Sequence, residues 1–212
     1  MDADLLEELA LRAGGLIRDG RRGLLGITGA PGAGKSTLAV AIVEKLGREG
    51  IAAAHVPMDG LHLADVALQA RGLLDRKGAI ETFDAYGYLA QLQRLRRELD
   101  HEVLVPGFDR TLEQPLAGAI TVWPTDRLVV TEGNYLLDAE GAWPEVRAAL
   151  DETWFVDLDD SVRTERLVRR HVEFGKPEPY ARQWVEQVDE PNARRVIARR
   201  DLADVVIDGS LL

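Results

Sequence analysis

Gly29-Ala30-Pro31-Gly32-Ala33-Gly34-Lys35-Ser36 is the stretch whose reading decides the fold of this chain. Ahead of it runs Leu24-Leu25-Gly26-Ile27-Thr28, a short apolar segment of strand character. Behind it, Leu38, Ala39, Ile42, Val43 and Leu46 recur at helical spacing to about Gly47. A glycine-rich turn between strand and helix lets main-chain N–H groups point inward at phosphate oxygens, and the helix N-terminus adds its dipole. In such a loop Lys35 reaches the β- and γ-phosphates, and the Ser36 hydroxyl can ligate magnesium. Residues 29–37, closing with Thr37, are expected to hold a nucleoside triphosphate.

Composition sets the outer bounds. The chain has 212 residues, 46% hydrophobic and 29% charged, which suits one domain of about this length with a real core. The Met1–Glu8 start is acidic and amphipathic, unlike a secretory signal, and no apolar run is long enough to span a bilayer. Cysteine is absent, so disulfides and thiolate metal sites are excluded. His55, His62, His101 and His171 show no zinc-ligand spacing. These features favour the cytoplasm and no membrane partner. A net charge of −10 opposes a broad nucleic-acid surface, because affinity there rests on neutralising phosphates. Arginines clustered at 163–170 and 194–200 suit a small phosphorylated ligand better than a polymer. A homodimer is left open.

Working outward from the loop, a helix is expected over 3–18 and a second strand over Ile51–Val56, ending at Pro57-Met58-Asp59-Gly60. Residues 57–125 depart from strand–helix alternation. They hold a polar loop at 71–82, a helix over Asp84–Leu99, and short strands at Glu102–Val105 and Ala119–Trp123. Alternation resumes with the strand Arg127–Thr131, a helix near Trp143–Leu150, the strand Thr153–Asp157 and an arginine-rich helix from Val162. Helices near Pro179–Val188 and Pro191–Arg200 lead to a last strand, Asp204–Ile207. This order predicts an α/β fold with a mostly parallel sheet between helical layers, its ligands at the carboxyl ends of the strands.

Lys35, Asp59, Glu132 and Asp157 follow those strand ends. Asp59 can accept the proton of a hydroxyl attacking the γ-phosphate, or simply serve an Asp-Gly turn. Glu132 is placed to reach magnesium or substrate, with Asn134 and Tyr135 beside it as hydrogen-bonding groups. Arg163, Arg166 and Arg170 share one helix face, either as a solvated face or as a lid, at about 162–190, that clamps phosphates. Arg76, Lys77 and Phe83 form a substrate-facing loop, next to an Asp84 that can equally cap the following helix. Phe108 and Arg110 could face the substrate or belong to an ordinary turn, and His62 joins the substrate-binding set.

Six segments together resemble the kinases of the uridine kinase, phosphoribulokinase and bacterial pantothenate kinase group. They are Gly29–Thr37, Met58-Asp59-Gly60-Leu61-His62-Leu63, Arg76–Asp84, Pro106-Gly107-Phe108-Asp109-Arg110, Val129–Leu137 and Arg166–His171. Within the group the chain looks most like a bacterial branch described as nucleoside/nucleotide kinase-like or as a fructose transport-system kinase. The resemblance implies a P-loop sandwich of three layers, with a core sheet in the order 2-3-1-4-5, a substrate-binding insertion and an arginine lid. It implies ATP and Mg²⁺, Asp59 as catalytic base, Lys35 and the loop amides on phosphates, Ser36 and Glu132 at the metal, and Arg166 with Arg170 in the lid. Leu61 and Ile80 stand where the group carries Phe and Pro. The expected activity is transfer of the γ-phosphate to a hydroxyl of a small metabolite: a sugar, a nucleoside or a pantothenate-like alcohol. The competing reading is a nucleotide-hydrolysing switch acting on a protein partner. It draws on Asp138-Ala139-Glu140-Gly141 but lacks an Asn-Lys-x-Asp guanine reader.

Overall fold

Strand β1 (Gly23–Thr28) is buried along its whole length and forms the middle of a five-stranded parallel sheet. A central parallel strand is covered on both faces, which is why the run carries no polar alternation. The computed structural model describes residues 1–212. Helix α1 (Ala3–Gly14) precedes the sheet, capped by the Asp2 carboxylate on the amides of Asp4 and Leu5. Around β1 stand β2 (Ala53–Pro57), β5 (Leu128–Glu132), β6 (Glu152–Asp157) and β7 (Val205–Asp208), in the order β2-β5-β1-β6-β7. Counting the parallel strands alone, this is the expected 2-3-1-4-5. The pairings Ile27↔Glu132 and Pro57↔Glu132 bring three strand ends level at the carboxyl edge.

Helix α2 (Lys35–Arg48) packs with α1 on one face of the sheet through Leu38, Ala39, Ile42 and Leu46. The other face is covered by α4 (Ala85–Arg97) and α5 (Trp143–Ala149), through Tyr88, Leu92, Leu95, Trp143 and Val146. Between α2 and α4 lie β2 and a short helix, α3 (Asp65–Arg71), just ahead of the loop expected at 71–82. Arg22 is buried at the start of β1. Its guanidinium donates to the carbonyls of Asp126, Leu95 and Trp123 at 2.7–2.8 Å, so the charge is fully bonded to main chain.

Outside the sheet, β3 (Val103–Asp109) and β4 (Gln114–Val122) form an antiparallel hairpin. It is longer than the sequence suggests, because a bulge between Val105 and Gly107 absorbs Pro106 without ending the pairing. The first helix is shorter than expected, stopping at Gly14. Helix α6 (Asp160–Glu173) is followed by α7 (Glu178–Trp184), a π-helical turn over Val185–Asp189, and α8 (Glu190–Ile197). These last three run on without a break, whereas Pro191 suggests two separate helices. The π turn just before Pro191 accommodates the ring and its missing N–H.

Candidate active site

The loop after β1 turns at glycines that cannot be replaced cheaply. Gly32 has φ +83°, and a Cβ there would lie 2.9 Å from the Arg163 carbonyl oxygen. Lys35 opens α2 and is buried; its ammonium donates to the carbonyls of Gly29 (2.9 Å) and Ala30 (3.1 Å). Burial lowers its pKa to about 8, against the pull of Glu132 and Asp59. Pro31, Gly32, Lys35 and Ser36 line one end of a cavity of about 420 Å³. Ala33 is buried in the core beneath the loop, whereas Gly34, in the left-handed region, and exposed Thr37 stand at the start of α2 outside the cavity lining.

At the neighbouring strand tip, Glu132 is buried and accepts a hydrogen bond from Ser36 Oγ at 2.8 Å. Burial alone would raise its pKa. The nearby His55, Lys35 and Ser36 outweigh that and hold it below the usual glutamate range. One carboxylate and one hydroxyl make no cage of three or more metal-ligating side chains, and no such cluster occurs in the chain. The pair fits magnesium, which takes one or two carboxylates and completes its shell with water and phosphate oxygens.

Across the cavity, Asp59 sits in a short turn after β2, and its Oδ2 accepts from Arg110 Nη2 at 2.9 Å. The hairpin approaches this turn so closely that a Cβ on Gly60 would collide with the Pro106 carbonyl. His62 Nδ1 donates to the Asp59 carbonyl (2.9 Å), and the ring lies against Phe83 and Phe108, with ring centroids 4.0 and 4.8 Å away. Burial lowers its pKa. Lys77 bonds Asp65 at 2.6 Å and stands 5.7 Å over the Phe108 ring. Asn134 completes this wall. The structure therefore brings together Lys35, Ser36, Asp59, His62, Lys77, Phe83, Phe108, Arg110, Glu132, Asn134 and Arg170 around one cavity.

Some expected residues stand elsewhere. Arg76 is outside the lining and exposed, paired with Glu81 at 2.7 Å. Tyr135 is buried, donates to the Gly78 carbonyl at 2.7 Å and packs on Phe83 and Trp143, so it supports the loop instead of facing a ligand. Asp84 caps α4 through the Gly87 amide. Asp157 faces Arg200 at 2.7 Å, away from the cavity. The three lid arginines face the loop but in different ways. Arg163 is buried and bonds Asp160, Glu190 and the Pro31 carbonyl. Arg166 lies beside Gly34, while Arg170 lines the cavity, where burial, then Arg110, lowers its pKa. Sequence reasoning missed the lid's other contributions: His171 paired with Asp189 at 2.9 Å, Lys176 standing 5.2 Å over the Trp184 ring, and Tyr180. For Tyr180 the signal is its i, i+4 spacing to Trp184.

A glycine-rich loop at the tip of a central parallel strand, with an acid at the adjacent tip and arginines on a following helix, defines a P-loop protein of the kinase type. Residues 24–208 match the Phosphoribulokinase / Uridine kinase family, and the chain belongs to that family. A "putative uridine kinase" of Schizosaccharomyces pombe is 32% identical over 185 residues, covering 82% of this chain and 77% of that one. The crystal structure of a "putative fructose transport system kinase" from Silicibacter sp. TM1040 is 36% identical with a TM-score of 0.86, over 95% of this chain and 98% of that one. YFH7 of Saccharomyces cerevisiae shares the fold, with a TM-score of 0.78 at 18% identity over 97% of each chain. No helix is long and apolar enough to cross a membrane.

Proposed function

We propose that the chain transfers the γ-phosphate of ATP to a hydroxyl of a small metabolite. The observation that carries this is the position of Asp59 on the cavity that also holds the phosphate loop, Lys35 and Arg170. The Asp59 oxygen not engaged by Arg110 takes the hydroxyl proton as the oxygen attacks phosphorus. The new O–P bond forms while the bond to the β-phosphate oxygen breaks, and ADP leaves with that electron pair. Lys35 and Arg170, both on the cavity, face the charge that develops on the transferring group, and Arg166 beside Gly34 is the second lid arginine. Ser36 and Glu132 would hold magnesium, which neutralises phosphate charge. His62, Phe83, Phe108, Lys77 and Arg110 form the acceptor wall, for a sugar, nucleoside or pantothenate-like alcohol.

The switch reading is disfavoured by one observation. Asp138, first residue of the Asp-x-x-Gly match, is buried and fully engaged by Arg195 at 2.6 and 2.9 Å, facing α8. The experiment is an ATP-consumption screen across hydroxylated metabolites. Acceptor-dependent ADP release supports phosphoryl transfer; ADP release that ignores every metabolite and responds only to added protein would replace it with the switch.

A further inference from the structure

On β2, Ala54 and Val56 point into the core under α4, so His55 and Pro57 project to the opposite face, toward α2. The register sets His55 beside Val130 and Pro57 beside Glu132, and Val130 belongs to the α2-side core. His55 and Glu132 thus share a face, offset by two residues along neighbouring strands. The His55 Nε2 is buried with no hydrogen-bond partner, and it stands 3.8 Å from Glu132 Oε1. A buried imidazole nitrogen left unpaired is costly, and buried polar groups of native chains find partners. A shift of well under an ångström turns this approach into a hydrogen bond.

The same oxygen, Oε1, already accepts from Ser36 at 2.8 Å. With that second bond made, Oε1 would be held from two sides, fixing the carboxylate in rotamer and leaving Oε2 for a cation or its water. We propose that His55 is a positioning residue. It orients Glu132, and through Glu132 the divalent cation that Ser36 and Glu132 would hold. This rests on the metal role given to Glu132 above. The partners of a ligating group commonly govern metal affinity by ten- to a hundredfold.

The test uses Mn²⁺ as probe, titrated into the ADP-saturated protein and followed by the paramagnetic resonance signal of the free ion. His55→Phe keeps an aromatic shape without a donor, and His55→Gln keeps an N–H near the Nε2 position. The expected result is Mn²⁺ affinity weakened about tenfold or more in H55F and largely restored in H55Q, with metal-free ADP affinity unchanged in both. Equal losses in H55F and H55Q would assign His55 to packing and overturn the proposal. Native affinity in H55F, with a loss in Glu132→Gln, would overturn it while leaving the metal role of Glu132 standing. Native affinity in E132Q as well would remove that role and this proposal together.

Discussion

Arg110 Nη2 donates to Asp59 Oδ2 at 2.9 Å, tying the turn after β2 to the end of β3. One oxygen of the proposed base is thereby anchored and the other is left to the acceptor. The pair is partly solvated, so its worth lies in orientation more than in stability. Arg110→Met should lower acceptor turnover on the order of tenfold or more while leaving ATP affinity and melting temperature near their native values. Steady-state kinetics beside a nucleotide titration check this; unchanged kcat and KM would release Arg110 from the site.

Lys35 gives a prediction about stability and pH. It is protonated in the unfolded chain up to about pH 10.5, but burial lets it lose the proton near pH 8 in the folded state. Between those values the unfolded chain binds more protons, so this group makes stability rise with pH. Below pH 8 the full net cost of keeping this charge buried remains, about 3 kcal/mol. Lys35→Met should therefore raise the stability of the nucleotide-free protein at pH 7 and flatten its rise from pH 8 to 10, while weakening ATP binding severely. Denaturant unfolding at several pH values measures it, and equal pH slopes in both proteins would contradict it.

Arg163 and Arg170 lie two turns apart on one helix face yet should behave oppositely. Arg163 bridges Asp160, Glu190 and the Pro31 carbonyl from a buried position. Removing it strands carboxylates and a loop carbonyl, so Arg163→Met should cost roughly 2–4 kcal/mol by chemical denaturation. Arg170→Met should leave stability within about 0.5 kcal/mol and lower turnover on the order of a hundredfold. Equal stability losses would mean that both arginines are structural.

Gly60 is required by close approach, since a Cβ would run into the Pro106 carbonyl. Gly60→Ala should push the hairpin from the Asp59 turn, costing roughly 1–3 kcal/mol and a large part of the turnover. A melting temperature equal to the native one would show that the hairpin can yield without cost.

The sheet and the phosphate loop were legible because their signals are local. A buried run reads as a strand, and a glycine spacing fixes a turn. Asp59 and Glu132 were legible as strand-end acids. The hairpin's true length was not, because Pro106 and Gly118 read as breakers until a bulge and an exposed edge absorb them. Arg163, Arg166 and Arg170 were readable as one face, but periodicity does not say what covers each turn of it. Sequence proximity to Glu132 and Lys77 points Tyr135 and Arg76 to the substrate. Tyr135 instead turns into the core and Arg76 out to Glu81, directions set by tertiary packing. Tyr180 and Trp184 meet the cavity only because the lid folds back across it.

The central claim is that Asp59 takes the proton of an alcohol attacking the γ-phosphate. Parallel measurement of ATP affinity and acceptor-dependent ADP release in Asp59→Asn tests it most directly. The amide is nearly isosteric but cannot accept the proton, so affinity should stay near native while turnover drops by a factor on the order of a hundred or more. Native turnover in that variant would contradict the account.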